Sequence, residues 1–171
     1  MNLIKITFLF FLIICLTNCV SRNEYGIVRP NEIRFSNKNC DDEKVFDKVD
    51  TSAIYLATIK ILDTGEPFIN GYKFYSGNKI ALFINIKIDS INSLNPKNAQ
   101  MGFYNTCSET NSIQIANYHV QSGVYKSKKE FEIDNDTLII KSLESPQSSF
   151  RIEKYYKRKL KPNELIYKPD W

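Results

Sequence analysis

Residues 72–88 read YKFYSGNKIALFINIKI. Two runs of apolar, aromatic and β-branched residues, Tyr72–Tyr75 and Lys79–Ile88, flank Ser76-Gly77-Asn78. Glycine and asparagine tolerate the left-handed backbone that a tight reversal requires, so the stretch is expected to fold as strand, turn and strand. In the second run Leu82, Ile84, Ile86 and Ile88 occupy every other position, with Asn85, Lys87 and Asp89 on the alternate ones. Side chains of a strand point to opposite faces in turn, so this spacing predicts one dry face and one wet face.

The same pattern continues on both sides. Strands are expected at Ala53–Leu62, Met101–Thr106, Ser112–Val120, Gly123–Ile133, Thr137–Leu143 and Phe150–Lys159, besides the two above. Turn residues separate them: Asp63-Thr64-Gly65, Asn95-Pro96, Gln121-Ser122-Gly123, Asp134-Asn135-Asp136 and Ser145-Pro146. Ile113 and Ile115 alternate with Ser112 and Gln114, and Leu138 and Ile140 are expected to pair with Phe150 and Ile152 across a hairpin. One wet and one dry face per strand means antiparallel pairing. No helical period is sustained after residue 51, which argues against parallel α/β folds. The expected fold is all-β, an antiparallel up-and-down meander of about eight strands closing into a barrel or half-barrel.

The segments YKFYSGNKIALF, MGFYNT and EIDNDTLIIKS, followed by FRIEKYYKR, are similar to small lipocalin-like domains of exported bacterial lipoproteins of the Bacteroidetes type. This resemblance covers Thr51 to Lys159 and implies a barrel that holds a small apolar or amphipathic molecule. It lacks the early Gly-x-Trp of true lipocalins, since Trp171 is the one tryptophan.

The chain opens MNLIKITFLFFLIICLTNCVSRNE. Lys5 precedes an apolar core from Ile6 to Leu16, of signal-peptide length and shorter than the roughly 20 residues a membrane span needs. The end of this run, Leu16-Thr17-Asn18-Cys19, resembles a bacterial lipobox. The resemblance implies cleavage before Cys19 and acylation of its thiol and new amine. Several acyl chains on one residue anchor a protein stably, because each buried CH₂ contributes about 0.8 kcal/mol. The expected organisation is a signal peptide at 1–18, a lipidated tether and irregular or helical lead-in at 19–50, and the barrel domain at 51–171. No aspartate follows Cys19 and CVSRNE carries no acidic surface-export signal, so the expected location is the outer membrane, facing the periplasm.

Export implies an oxidising compartment, in which Cys40 and Cys107 are expected to form a disulfide, the alternative being two buried thiols. The formal net charge of +4 is mild and says little about partners. The blocks KSKK (Lys126–Lys129) and KYYKRKLK (Lys154–Lys161) read either as solvated strand faces or as attraction to anionic headgroups; a nucleic acid partner is not expected.

Candidates for chemistry are few. His119 is the sole histidine, which excludes a site built on several, and a Cys107–His119 nucleophile pair fails if Cys107 is oxidised. Asp134-Asn135-Asp136 and Asp41-Asp42-Glu43 offer oxygen ligands but lack the full calcium-loop pattern, and read as a tight turn and a solvated run. Glu130, Glu132 and Asp134 share one strand face, whereas glycosidase carboxylates face each other across a cleft. No Gly-x-Ser-x-Gly, phosphate-binding loop or Cys-x-x-Cys is present. An enzyme is not expected, and no cofactor is implied. Phe83, Phe103 and Phe150 are candidates to line a pocket from inward positions, or to fill the core. The expected function is non-enzymatic binding of a small apolar or amphipathic molecule near a membrane. The alternative is a protein-interaction module of the cell envelope, scaffold or inhibitor, with a packed barrel.

Overall fold

A computed structural model describes residues 20–22, 28–30, 49–60, 67–88, 90–107, 112–120, 124–143 and 154–169. Side chains at 20–22, 28–30, 60, 91, 107, 118–120, 124–129 and 140–143 lie outside that description. The chain forms two units, residues 1–33 with 170–171, and residues 34–169. In the first, β1 (Val20–Arg22) pairs antiparallel with β2 (Val28–Pro30), Ser21 opposite Arg29. The tether expected to be irregular or helical therefore contains a short hairpin.

The second unit is a closed barrel of eight antiparallel strands. They are β3 (Ala53–Lys60), β4 (Pro67–Phe74), β5 (Lys79–Phe83), β6 (Ala99–Cys107), β7 (Ser112–Val120), β8 (Val124–Asp134), β9 (Thr137–Leu143) and β10 (Lys154–Lys159). Each strand pairs with the next in sequence, and β10 closes the ring by pairing with both β9 and β3. The expected all-β meander is thus the observed fold, with closure complete. Three short 3₁₀ turns, Ile91–Leu94, Pro96–Asn98 and Pro162–Glu164, are the helical elements among the described residues.

Turn chemistry sets the register. Gly77 (φ 71°) and Asn78 (φ 59°) take up the left-handed backbone between β4 and β5, and Tyr75 N–H donates to Lys79 O at 2.9 Å. A side chain at Gly77 would have open space around it, so backbone conformation selects glycine there. Asn135 (φ 51°) does the same between β8 and β9, where Asp134 faces Thr137 across a two-residue connection.

The inward face is aromatic. Tyr72 of β4 meets Phe131 of β8 (centroids 5.3 Å apart) and Tyr155 of β10 (5.0 Å), both edge to face. Phe74 meets Tyr104 at 5.0 Å and Tyr55 at 5.5 Å in the same manner. Rings from strands that are not neighbours in the sheet touch, so this layer fills the barrel from wall to wall. Offset edge-to-face contacts of this kind add about 1 kcal/mol each to the burial itself.

Several expectations are corrected. β4 begins at Pro67 rather than Tyr72. Asn70 and Gly71 resemble punctuation in sequence, yet they lie within the strand, and Pro67 takes the first-residue position where a missing N–H is tolerated. β5 ends at Phe83 instead of running to Ile88. Asn85 is left-handed (φ 56°), the chain turns away, Ile84 is 49% exposed, and Ile86 is buried against the outside of the barrel. There Ile54 Cδ1, Leu56 Cδ2 and Ile86 Cδ1 converge over Gly71, where any Cβ would come within 2.7–2.9 Å of them. The rule of one wet face also fails here, because Ile80, Ala81, Leu82 and Phe83 are all buried. An outer apolar layer of Ile54, Ala81, Phe83, Met101 and Ala116 backs the inner one. In the β9–β10 hairpin, Leu138 faces Tyr155 rather than Phe150 or Ile152, which lie outside the described residues.

Candidate functional site

Strand direction divides the barrel into a near end, at the turns 76–78 and 135–136, and a far end, at the segment 84–98. The aromatic layer stands toward the near end. Beyond it on four strands, the inward positions change character. Tyr55 gives way to Ala57 on β3, Tyr72 to Asn70 on β4, Tyr104 to Gly102 and Gln100 on β6, and Ile115 to Asn117 on β7. Ala57 is small, the place of a side chain at Gly102 is taken by the Ala116 backbone, and Asn70, Gln100 and Asn117 bring amides. Asn117 is buried, and its Nδ2 donates to Gln100 O at 3.4 Å. Asn70 Oδ1 accepts from Asn85 N–H at 3.2 Å. Gln100 Oε1 is buried without a hydrogen-bond partner among the described residues. Above the apolar floor the inward positions are therefore smaller and more polar.

The near end is ionic. Lys157, on the inward register opposite Tyr55, donates to Asp136 Oδ1 at 2.7 Å and lies 3.5 Å from Asp50 Oδ2. The hydrogen bond to Asp136 raises the Lys157 pKa. Asp50 accepts from the Ser52 hydroxyl (2.5 Å) and N–H (2.9 Å), and the hydroxyl bond is the main reason its carboxyl titrates low. Burial raises the Tyr55 phenol and pushes Tyr104 up to about 12, with the Tyr104 hydroxyl donating to Tyr75 O at 3.2 Å. This cluster stands at the near end, where the Asp136 side chain is 75% exposed.

Lys73 is a buried cation on the outer face. Its Nζ donates to Thr51 O and Phe74 O and sits 5.0 Å from the Tyr75 ring centroid. Burial lowers its pKa from 10.5 to about 8. The folded state therefore sheds this proton before the unfolded chain does, and stability rises with pH between those two values. The full difference corresponds to about 3 kcal/mol. The buried tyrosines act the opposite way above about pH 10, where the unfolded chain ionises first. Stability followed by urea unfolding is thus expected to climb from pH 8 to about 9.5 and fall beyond. Lys73→Met should abolish the climb; a climb of equal size in that variant would refute this role for Lys73.

The residues singled out in the sequence are not brought together. Phe83 and Phe103 stand on the register opposite to Ile80, Leu82 and Tyr104, on the outside of the barrel. Phe83 is buried in the outer apolar layer, and Phe103 is partly exposed. The expectation that they point inward fails because β5 is apolar on both faces, so parity could not be read from composition. Phe150, Cys19 and Cys40 lie outside the described residues, and Cys107 is described only as the last backbone position of β6. His119 is likewise placed only by its backbone, on β7 opposite Tyr125. Asp136 belongs to the near-end ion pair. Glu130 and Glu132 face Gln114 and Ser112 across β7. Among the described residues no group of three or more His, Cys, Asp or Glu is placed to hold a metal. The residues that sequence reasoning missed, Ala57, Gly102, Gln100 and Asn117, carry no local signal; register alone puts them on the inward face of β3, β6 and β7.

The fold and site define a small, closed, up-and-down β-barrel with a floor of packed aromatics and an amide-lined half above it. No family model, curated protein or solved structure matches the chain.

Proposed function

We propose that this chain is an exported, lipid-anchored barrel that carries a small apolar or amphipathic molecule, without catalysing a reaction on it. The single observation behind the binding site is the change along the inward face from aromatic floor to Ala57, Gly102, Asn117 and Gln100. The anchor rests on Leu16-Thr17-Asn18-Cys19 after an apolar run, and the outer membrane facing the periplasm remains the proposed location. The ligand would rest its apolar part on the aromatic layer and turn its polar group toward the amides.

Binding is tested by extracting the purified full chain with organic solvent, and by titrating it with the apolar probe anilinonaphthalene sulfonate. Wild type is expected to yield a co-purifying small molecule or to bind the probe at one site. Ala57→Phe, which fills the space above Tyr55, should lower probe affinity at least tenfold while the chain stays folded. Anchoring is tested by the intact mass of wild type and Cys19→Ala expressed in a related bacterium; a wild-type thiol without acyl chains would sink it.

The wall-to-wall aromatic layer favours a second reading, a protein-interaction module of the cell envelope whose barrel is solid. Absence of extractable ligand, together with probe binding unchanged by Ala57→Phe, would select that reading.

A further inference from the structure

After β10 the chain does not trail away. Leu160 N–H donates to Ser52 O at 3.0 Å, and a 3₁₀ turn follows at Pro162–Glu164. The Glu164 carboxylate accepts from Lys161 N–H at 2.7 Å and from the Arg158 guanidinium at 2.9 Å, which ties the turn to the outer face of β10. Leu165 N–H closes the turn onto Pro162 O at 3.3 Å. Farther on, the Tyr167 hydroxyl donates to Asn92 Oδ1 at 3.2 Å, fastening the segment to the 84–98 loop. Between these two fastenings stand Leu165, 41% exposed, and Ile166, 61% exposed.

Two adjacent aliphatic side chains held out to water on a pinned loop cost free energy unless something covers them. Lys161 and Lys168, which flank them in sequence, are exposed, while Glu164 is occupied by its own loop and by Arg158, and Asp170 is the one other acid that follows. Exposed apolar tips flanked by lysines, with the acid of their own turn neutralised, match a surface that is apolar at depth and anionic at its rim.

We infer that Leu160–Lys168 is a membrane-docking loop, in which Leu165 and Ile166 enter the headgroup boundary of an anionic phospholipid surface and Lys161 and Lys168 contact its phosphates. The loop fixes which side of the barrel faces the bilayer, and the inference holds whether or not Cys19 carries lipid.

The test uses the full chain reconstituted into vesicles of phosphatidylethanolamine and phosphatidylglycerol with brominated acyl chains. Bromine quenches a nearby tryptophan, and the chain's one tryptophan, Trp171, follows the loop shortly in sequence. Quenching is read on the vesicle-bound fraction after flotation removes free chain, so the signal reports the loop rather than overall binding. Wild type is expected to be quenched more strongly as the anionic fraction rises. Leu165→Ser/Ile166→Ser should halve the quenching or better. Lys161→Gln/Lys168→Gln should remove its dependence on anionic lipid. All these positions are exposed, so thermal unfolding should be unchanged. Equal quenching in wild type and the Leu165→Ser/Ile166→Ser variant, or quenching indifferent to lipid charge, overturns the inference. Self-association that the same variant abolishes would assign the loop to a second copy of the chain and overturn it as well.

Discussion

Gly102→Ala is expected to cost about 3 kcal/mol or more, enough to unfold much of the population of a small barrel. A Cβ on Gly102 would lie 2.2 Å from Ala116 O and 2.9 Å from Asn117 Nδ2. The first of these is backbone in the neighbouring strand, held by the β6–β7 ladder in which Gly102 faces Asn117. A flexible side chain could swing aside; a ladder carbonyl moves only if the ladder moves. Urea unfolding checks the figure. Gly77→Ala is the comparison, since Gly77 has open space and only an unfavourable φ, and should cost about 1–2 kcal/mol. A loss at Gly102 no larger than the loss at Gly77 would mean that the two strands are less tightly apposed than described.

Phe131→Ala carries the second large effect, about 3–5 kcal/mol. Phe131 is fully buried, and its ring touches Tyr72 at 5.3 Å and Tyr155 at 6.1 Å. Its removal takes one of three mutually packed rings out of the middle of the barrel. The neighbours belong to β4 and β10, which lie on other parts of the wall and have little freedom to close the gap. Phe131→Leu keeps most of the volume and should cost less than about 1.5 kcal/mol. Thermal or urea unfolding of both variants distinguishes a filled interior from a hollow one. Near-equal, small losses would show that the aromatic layer is loosely packed and that the barrel is open through its length.

The strand–turn–strand grammar of Tyr72–Ile88 was legible because left-handed turn residues and alternating apolar residues are local signals. So was the meander, since each hairpin brings together neighbours in sequence. The failures have a common physical origin. Ile84, Ile86 and Ile88 look like one face of a strand, but the backbone leaves the sheet at Asn85 and Ile86 is spent on covering Gly71 from outside. Phe83 looks like a core residue and is one, in the second, outer layer. The contrast between inside and outside of a barrel is lost in sequence once both sides are apolar. The far-half positions Ala57, Gly102 and Asn117 come from three strands and meet through register. No stretch of sequence contains them together. Ala57 and Gly102 would look like weak strand formers in isolation, and only the register shows that both face inward.

Closure joins Ala53 with Lys159 and Leu56 with Tyr156, the beginning of the barrel with its end. A chain synthesised from its N-terminus delivers β3 first and must keep one edge of that strand unpaired until β10 arrives. A seven-strand intermediate has two raw edges and an aromatic layer missing Tyr155, a species prone to pair with other chains. The barrel therefore completes only after β10 has been delivered, and every earlier species keeps the free edge of β3.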